Sequence, residues 1–369
     1  MNRVLVAMSG GVDSSVAAFL LREAGYDVVG VTMCLGIRES ADARRPACCG
    51  PDAVLDAERV AGALSIPHYV LDFAAEFQAN VVDKFVGEYR SGRTPNPCVD
   101  CNRFLKFDTL LARALGLGFT ALATGHYAGI RQRDGRYLLT RPKDHRKDQT
   151  YFLAGIPREA LSHIIFPLAP VDKDGVRKIA KKAGLPVAEK PESQDICFIP
   201  DGDYGAFIAK RTIEISPGPI VDTDGRTLGT HRGIPFYTVG QRGGLGIAAR
   251  TPLYVIRIET EDNTVVIGSR EHLLTPGLIC SNVNVLVDDL PEAASVKIRS
   301  TKPDTPCRII QNDDGTVRVI FDRPQEAVTP GQAAVFYSDD VVLGGGTIDR
   351  VINEDDEDLQ RKDRLPLHQ

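Results

Sequence analysis

Ser9-Gly10-Gly11-Val12-Asp13-Ser14-Ser15 directly follows the apolar run Val4-Leu5-Val6-Ala7-Met8 and opens a stretch of helical periodicity over residues 14–24. The order is strand, glycine turn, helix start. Two glycines let the backbone approach a ligand with no Cβ in the way. The N–H groups of a helix start bind anionic oxygen, and Ser14 and Ser15 add donors. The loop therefore reads as a phosphate site. It is not a Walker A loop, which needs a lysine before its last hydroxyl, nor does it fit G-x-G-x-x-G. The plainer alternative is a tight strand-to-helix turn with a serine cap.

Around the loop, residues 1–125 alternate short apolar strands with amphipathic helices. Strands are predicted over residues 4–8, 28–32, 68–71 and 121–124. Helices are predicted over 14–24, 52–64, 77–89 and 104–115, the first with Val16, Leu20 and Ala24 as its buried stripe. Such alternation implies a parallel sheet with right-handed crossovers, and ligands beyond the carboxyl ends of its strands. Ser9, Met33, Cys34, Gly125 and His126 should then share one crevice. Residues 150–184 read as helical again, with a helix at 173–183 stopped by Gly184 and Pro186. From about 212 glycine, proline and β-branched residues dominate. There 222–225 reads as a turn, 254–259 and 264–268 as a hairpin, and 275–350 as a small β-barrel. The tail, 353–369, is charged and loose in this reading.

A chain of 369 residues suits two or three domains, and its 43% hydrophobic fraction is ordinary. No stretch reaches the roughly 20 apolar residues of a membrane span, and residues 1–8 read as a strand rather than a signal. A cytoplasmic chain with no membrane partner is predicted. Net charge −5 leaves nucleic acid open, since a local basic patch suffices for it. Eight cysteines in such a chain point to metal or redox chemistry rather than disulfide scaffolding. Cys98-Val99-Asp100-Cys101 sits in a Pro-rich segment, 92–102, predicted to be extended and exposed, and Cys197 stands far away in sequence. The pair fits a zinc half-site, a redox pair or two ligands of an iron–sulfur cluster. A closed zinc site lacks further ligands, and a thioredoxin-like role fits a Pro-rich loop poorly. Cys34, Cys280 and Cys307 read as ordinary thiols, while Cys48-Cys49 could bind metal or shuttle sulfur.

The opening loop resembles the PP-loop of the N-type ATP pyrophosphatases. In that family it holds the β- and γ-phosphates as a leaving pyrophosphate while AMP passes to a substrate oxygen; Asp13 would help hold Mg²⁺. Further motifs extend the likeness: residues 92–107, Ala123-Thr124-Gly125-His126-Tyr127, Lys147-Asp148-Gln149-Thr150-Tyr151-Phe152, residues 191–198, and Phe236-Tyr237-Thr238-Val239-Gly240-Gln241-Arg242. Through them nearly the whole chain resembles the tRNA-specific 2-thiouridylases. The resemblance implies an α/β fold: a parallel-sheet PP-loop catalytic domain at 1–205, a small β-rich tRNA-binding domain at 206–272, a C-terminal β-barrel at 273–352, and a charged tail. It implies ATP-dependent adenylation of O2 of a tRNA wobble uridine, then sulfur transfer to C2. The implied partners are a tRNA anticodon loop and a sulfur donor such as a cysteine desulfurase or relay protein.

By the same resemblance Cys101 is the nucleophile and Cys197 the persulfide carrier, the two ending as a disulfide. ATP would meet Ala7, Met8, Ser9, Gly10, Gly11, Val12, Asp13 and Ser14, with Met33 on the adenine and Gly125 beside the nucleotide. tRNA would meet Asn96, Pro97 and Cys98 at the target base, then His126, Lys147, Asp148 and Gln149, and Arg299, Ser300 and Gln332 in the barrel. Lys143, His145 and Arg146 form a basic patch nearby, and Arg177, Lys178, Lys181 and Lys182 a second one. One departure matters: many members carry aspartate where this chain has Cys98. Three cysteines, Cys98, Cys101 and Cys197, suit three irons of a 4Fe–4S cluster whose fourth iron carries hydrosulfide, so persulfide and cluster routes both stand at this point. Ser300-Thr301 and Gly243 also replace commonly aromatic or basic positions. Two rival functions are a different PP-loop amidotransferase or synthetase, and a non-catalytic tRNA- or nucleotide-binding protein.

Overall fold

The computed structural model describes residues 2–37, 51–191, 196–199, 202–211 and 215–353. The pair Cys48-Cys49, residues 192–195 and the tail beyond Asn353 lie outside them. Contacts divide the chain into two units: residues 1–83, 97–203 and 339–343 in the first, and 84–96, 204–338 and 344–369 in the second.

In the first unit β1 (Arg3–Ala7) leads through the Ser9–Ser15 loop into α1 (Val12–Glu23). β2 (Asp27–Cys34), α2 (Pro51–Leu64) and β3 (His68–Asp72) follow. One helical stretch runs through α3 (Ala74–Phe77) and a π-helical turn at Gln78–Val82 into α4 (Asp83–Arg90), whose residues 84–90 belong to the second unit. A second runs through α5 (Pro97–Asp100), a π-helix at Cys101–Leu110 and α6 (Leu111–Gly116). Next come β4 (Ala121–Thr124), the hairpin β5 (Gly129–Arg133) and β6 (Arg136–Thr140), β7 (Ile164–Ile165) and α7 (Lys173–Lys182). Five strands form one parallel sheet in the order β3-β2-β1-β4-β7. Its inner strands are nearly continuous apolar runs because helices cover both faces. The chain turns one way from β1 to β2 and the other way to β4. That reversal opens a crevice beyond the carboxyl ends of β1 and β4, where Ala7 pairs with both Val31 and Thr124.

Val4, Val6 and Met8 of the sheet pack with Val16, Ala17 and Leu21 of α1 and with Val176 and Ala180 of α7. The expected stripe of α1 is therefore corrected. Ser14 to Ala18 and Leu21 are buried while Ala24 is the exposed C-cap, because α1 is covered by α2 and α7 as well as by the sheet. The Pro-rich segment is also not extended throughout. Pro97 opens α5, since proline fits the first turn of a helix, and Pro97 and Asp100 are buried. Residues 150–184 hold only one α-helix, α7. Before it come 3₁₀ turns at Thr150–Phe152 and Arg158–His163, interrupted where Pro157, Pro167 and Pro170 cannot donate.

The second unit begins its C-terminal part with α8 (Tyr204–Ala209). A four-stranded sheet follows: β8 (Gly218–Val221), β9 (Thr227–His231), β10 (Tyr254–Glu259) and β11 (Thr264–Gly268), ordered β10-β11-β8-β9. β10 and β11 are the hairpin read from the sequence. Ile220, Tyr237, Val255, Val265 and Ile267 form its core. The last six strands are β12 (Leu274–Val285), β13 (Ala293–Lys297), β14 (Thr305–Gln311), β15 (Val317–Glu326), β16 (Ala333–Ser338) and β17 (Val341–Ile352). They run β12-β15-β14-β13-β16-β17, and antiparallel pairing of β12 with β17 closes the barrel and removes its edges.

Candidate active site

The loop after β1 is held open by close packing. Gly10 has φ +66°, and a Cβ there would lie 2.2 Å from the Ala53 carbonyl oxygen. Gly125, after β4, comes so near that a Cβ would lie 2.5 Å from the Ser14 nitrogen. No side chain caps α1. Instead Ser14 and Ser15 donate back to the Gly11 carbonyl, at 3.1 and 2.8 Å. The Ser9 nitrogen donates to Ser14 Oγ at 3.2 Å. The start of α1 carries the positive end of the helix dipole.

The loop lines a cavity of about 470 Å³ that lies wholly within the first unit. The loop forms one side and an apolar wall of Val31, Met33, Leu35, Phe77 and Val81 another. Cys98, Cys101 and Cys197 all line the same space, with Lys106 and Lys190. Ala7, Met8, Ser9, Gly11, Val12, Asp13, Ser14, Met33 and Gly125 line it too, while Gly10 packs behind the loop on Ala53. Of the positions matched to tRNA contacts, Pro97, Cys98, His126 and Gln149 line it. Gln149 is tied down, its Oε1 accepting from the Tyr127 nitrogen at 2.8 Å. Lys147 and Asp148 stand outside the lining. The Asp148 carboxylate is buried on Arg141 at 3.1 Å and on Thr150 Oγ1 at 2.6 Å, which fixes a turn. Asn96, Arg299, Ser300 and Gln332 belong to the second unit. There Arg299 Nη2 donates to the Ala327 carbonyl and Thr329 Oγ1 at 3.0 and 2.9 Å, and Gln332 Nε2 to the Thr94 carbonyl at 2.7 Å. In the basic patch, Arg146 is held on Asp144 at 3.1 Å, and that contact with the Lys173 N–H keeps the Asp144 carboxyl below its usual range.

Cys98 is exposed on α5, and Cys101 is the first residue of the π-helix, a helix type frequent at functional sites. The next turn is pinned: Asn102 Nδ2 donates to the Phe152 carbonyl at 3.1 Å, and Lys106 Nζ donates to Asn102 Oδ1 at 2.9 Å. Cys197 is anchored through Phe198, whose ring meets Phe77 edge-on at 5.5 Å. His126 stands against Phe107 and Phe166 with Nδ1 2.7 Å from Thr124 Oγ1. Burial, reinforced by the Lys106 charge, pushes its pKa well down, so His126 is neutral at pH 7.

Both Asp13 oxygens accept from Lys173 Nζ, at 2.7 and 2.8 Å, and Oδ1 accepts from the Tyr127 hydroxyl at 2.9 Å. Asp13 is thus tied to Lys173 and Tyr127, which fixes the start of α1. Among the described residues no group of three or more His, Cys, Asp and Glu is placed to hold a metal ion.

Models of known domains match the chain in three consecutive stretches. The tRNA methyl transferase HUP domain matches residues 2–201, the tRNA methyl transferase PRC-barrel domain 205–269, and the aminomethyltransferase β-barrel domain 275–348. The tRNA-specific 2-thiouridylase MnmA 1 of Syntrophus aciditrophicus is 53% identical over 352 residues, covering 95% of this chain and 94% of that protein. The chain belongs to the tRNA-specific 2-thiouridylase family. The same-named proteins of Symbiobacterium thermophilum and Carboxydothermus hydrogenoformans are 48% and 49% identical, each across 95% of this chain and 93% and 98% of their own. Family membership bears out the enzyme class read from the motifs, a tRNA-modifying sulfurtransferase, and the order of a parallel-sheet domain, a small middle domain and a barrel. No helix among the described residues is long and apolar enough to cross a membrane.

Three lysines at this site were not singled out from the sequence. Lys173 hides at the first position of α7, ahead of the four cations that look like a wet face. Lys106 and Lys190 lie in or beside the matched motifs, at residues 92–107 and just before residues 191–198. Their only signal was a cation next to a glycine loop and two cysteines that themselves carry none.

Proposed function

We propose that this enzyme replaces the C2 oxygen of a tRNA wobble uridine with sulfur, using ATP to activate the oxygen. The observation that carries this reading is one cavity lined jointly by the Ser9–Ser15 loop, Cys101 and Cys197. The loop and the start of α1 take the β- and γ-phosphates, and the Met33 wall takes the adenine. A wobble base is unpaired, so drawing it from the anticodon loop costs less than opening a duplex. Uridine O2 attacks the α-phosphorus and pyrophosphate leaves. C2 now carries an adenylate, a far better leaving group than oxide.

Sulfur follows by a persulfide route, which needs only Cys101 and Cys197, both of which line this cavity. The terminal sulfur of a Cys197 persulfide attacks C2, and AMP departs with the O2 oxygen. The Cys101 thiolate then attacks Cys197 Sγ, breaks the S–S bond to the base, and releases 2-thiouridine. The electron pair of the broken bond goes to the thiocarbonyl, and a Cys101–Cys197 disulfide remains. A thiol reductant opens it, and a cysteine desulfurase or a relay protein reloads Cys197. The test is AMP and pyrophosphate release from ATP. Release should require tRNA bearing the unmodified wobble uridine; release at the same rate without tRNA would contradict the reading.

A further inference from the structure

The phosphate loop contains no cation, whereas a Walker loop brings its own lysine to the phosphates. Three lysines lie near the loop or the cysteines. Lys173 is only 8% exposed and spent on Asp13 at 2.7 Å. Lys106 is held by Asn102 on the helix of Cys101. Lys190 is different. Its Nζ lies 3.0 Å from the Gly10 carbonyl oxygen, in the loop itself, and 2.7 Å from Asp56 Oδ2. An ammonium has three donors, and among the described residues these two contacts use two of them. Lys190 also lines the cavity, with its side chain 20% exposed. Asp56 is shared with Arg59 at 3.2 Å, so it keeps a counter-charge if Lys190 turns toward an anion.

We propose that Lys190 supplies the missing cation of the triphosphate subsite, its third donor binding the β- or γ-phosphate of ATP and then the leaving pyrophosphate. The inference rests on the ATP reading above and adds a binding residue brought to the loop from the far end of the domain's sequence. Charge-assisted contact to the tail, and not to the α-phosphate that becomes AMP, gives a distinctive pattern of ligand dependence.

Calorimetric titration with ATP, pyrophosphate and AMP tests it. Lys190→Met should weaken ATP and pyrophosphate binding by roughly tenfold to a hundredfold and leave AMP within about twofold. Lys190→Gln, which keeps the hydrogen bonds without the charge, should show the same selective loss, and serves if the Met variant does not fold. Asp56→Asn should bind pyrophosphate at least as tightly as the wild type, since a competing carboxylate is gone. Unchanged ATP affinity in both Lys190 variants would overturn the inference. So would an equal loss of AMP, or a matching loss in Asp56→Asn, because either would make Lys190 a strut for the loop. Wild-type protein that binds no ATP would overturn the functional reading as well.

Discussion

At the scale of single residues, the site depends on charges and hydrogen bonds that fix side chains before any ligand arrives. Asp13 and Lys173 form an ion pair with Lys173 8% and Asp13 31% exposed. Removing one partner of a buried pair costs about 3–5 kcal/mol, and partial exposure of Asp13 lowers this to about 2–3 kcal/mol for Lys173→Met. Urea unfolding should show that loss, and Asp13→Asn combined with Lys173→Met should recover part of it. His126 gives a pH signature. Its folded pKa is depressed below the ordinary 6.5 by burial first and Lys106 second. The unfolded chain therefore takes up a proton near pH 6.5 that the fold refuses, so stability is full above that pH and falls as pH drops below it. His126→Gln should flatten the melting temperature against pH between roughly pH 7 and 5, though only in part, since burial depresses His68 as well. An unchanged slope would contradict a neutral His126.

At the scale of elements, strands and long helices were legible because their apolar periods are strong. The four predicted N-terminal strands lie within a residue or two of β1 to β4. The predicted helix at 104–115 was found, but its start was not. A 3.6-residue period cannot reveal the π-helix that begins at Cys101, and Pro97 read as a breaker when it was a first-turn residue. The hairpin of β5 and β6 was missed, although Asp134-Gly135 with φ of +51° and +75° is a strong two-residue turn signal. α7 brings Lys173 to the loop, and its start is fixed by Asp172, whose carboxylate accepts from the Gly175 nitrogen at 2.7 Å. Asp172→Ala should cost about 1 kcal/mol by denaturant titration. It should also raise the ATP concentration needed for half-maximal AMP formation, because Asp13 follows Lys173.

At the scale of the molecule, composition alone separated an α/β half from a β half, and the closed barrel accounts for the second. The meeting of Cys101 and Cys197 with the loop was implied by family resemblance and not by spacing, since 96 positions separate the two cysteines in the numbering. Among the described cysteines Cys98 is exposed, Cys34, Cys101 and Cys197 are half-buried, and Cys280 and Cys307 are buried. Cys280 and Cys307 are buried in the barrel, where burial pushes both thiols up, Cys307 to about 12. Iodoacetamide on the native protein should therefore, among these six, label Cys98 first and Cys34, Cys101 and Cys197 next, with Cys280 and Cys307 reacting only after unfolding. Prompt native labelling of Cys280 would contradict the closed barrel. The most direct test of sulfur delivery into the phosphate cavity is nucleoside mass spectrometry of tRNA after a single turnover with ATP and a persulfide donor. One 2-thiouridine should appear per AMP in the wild type, and none in Cys101→Ser or Cys197→Ser. AMP without 2-thiouridine, or undiminished 2-thiouridine in Cys197→Ser, would contradict it.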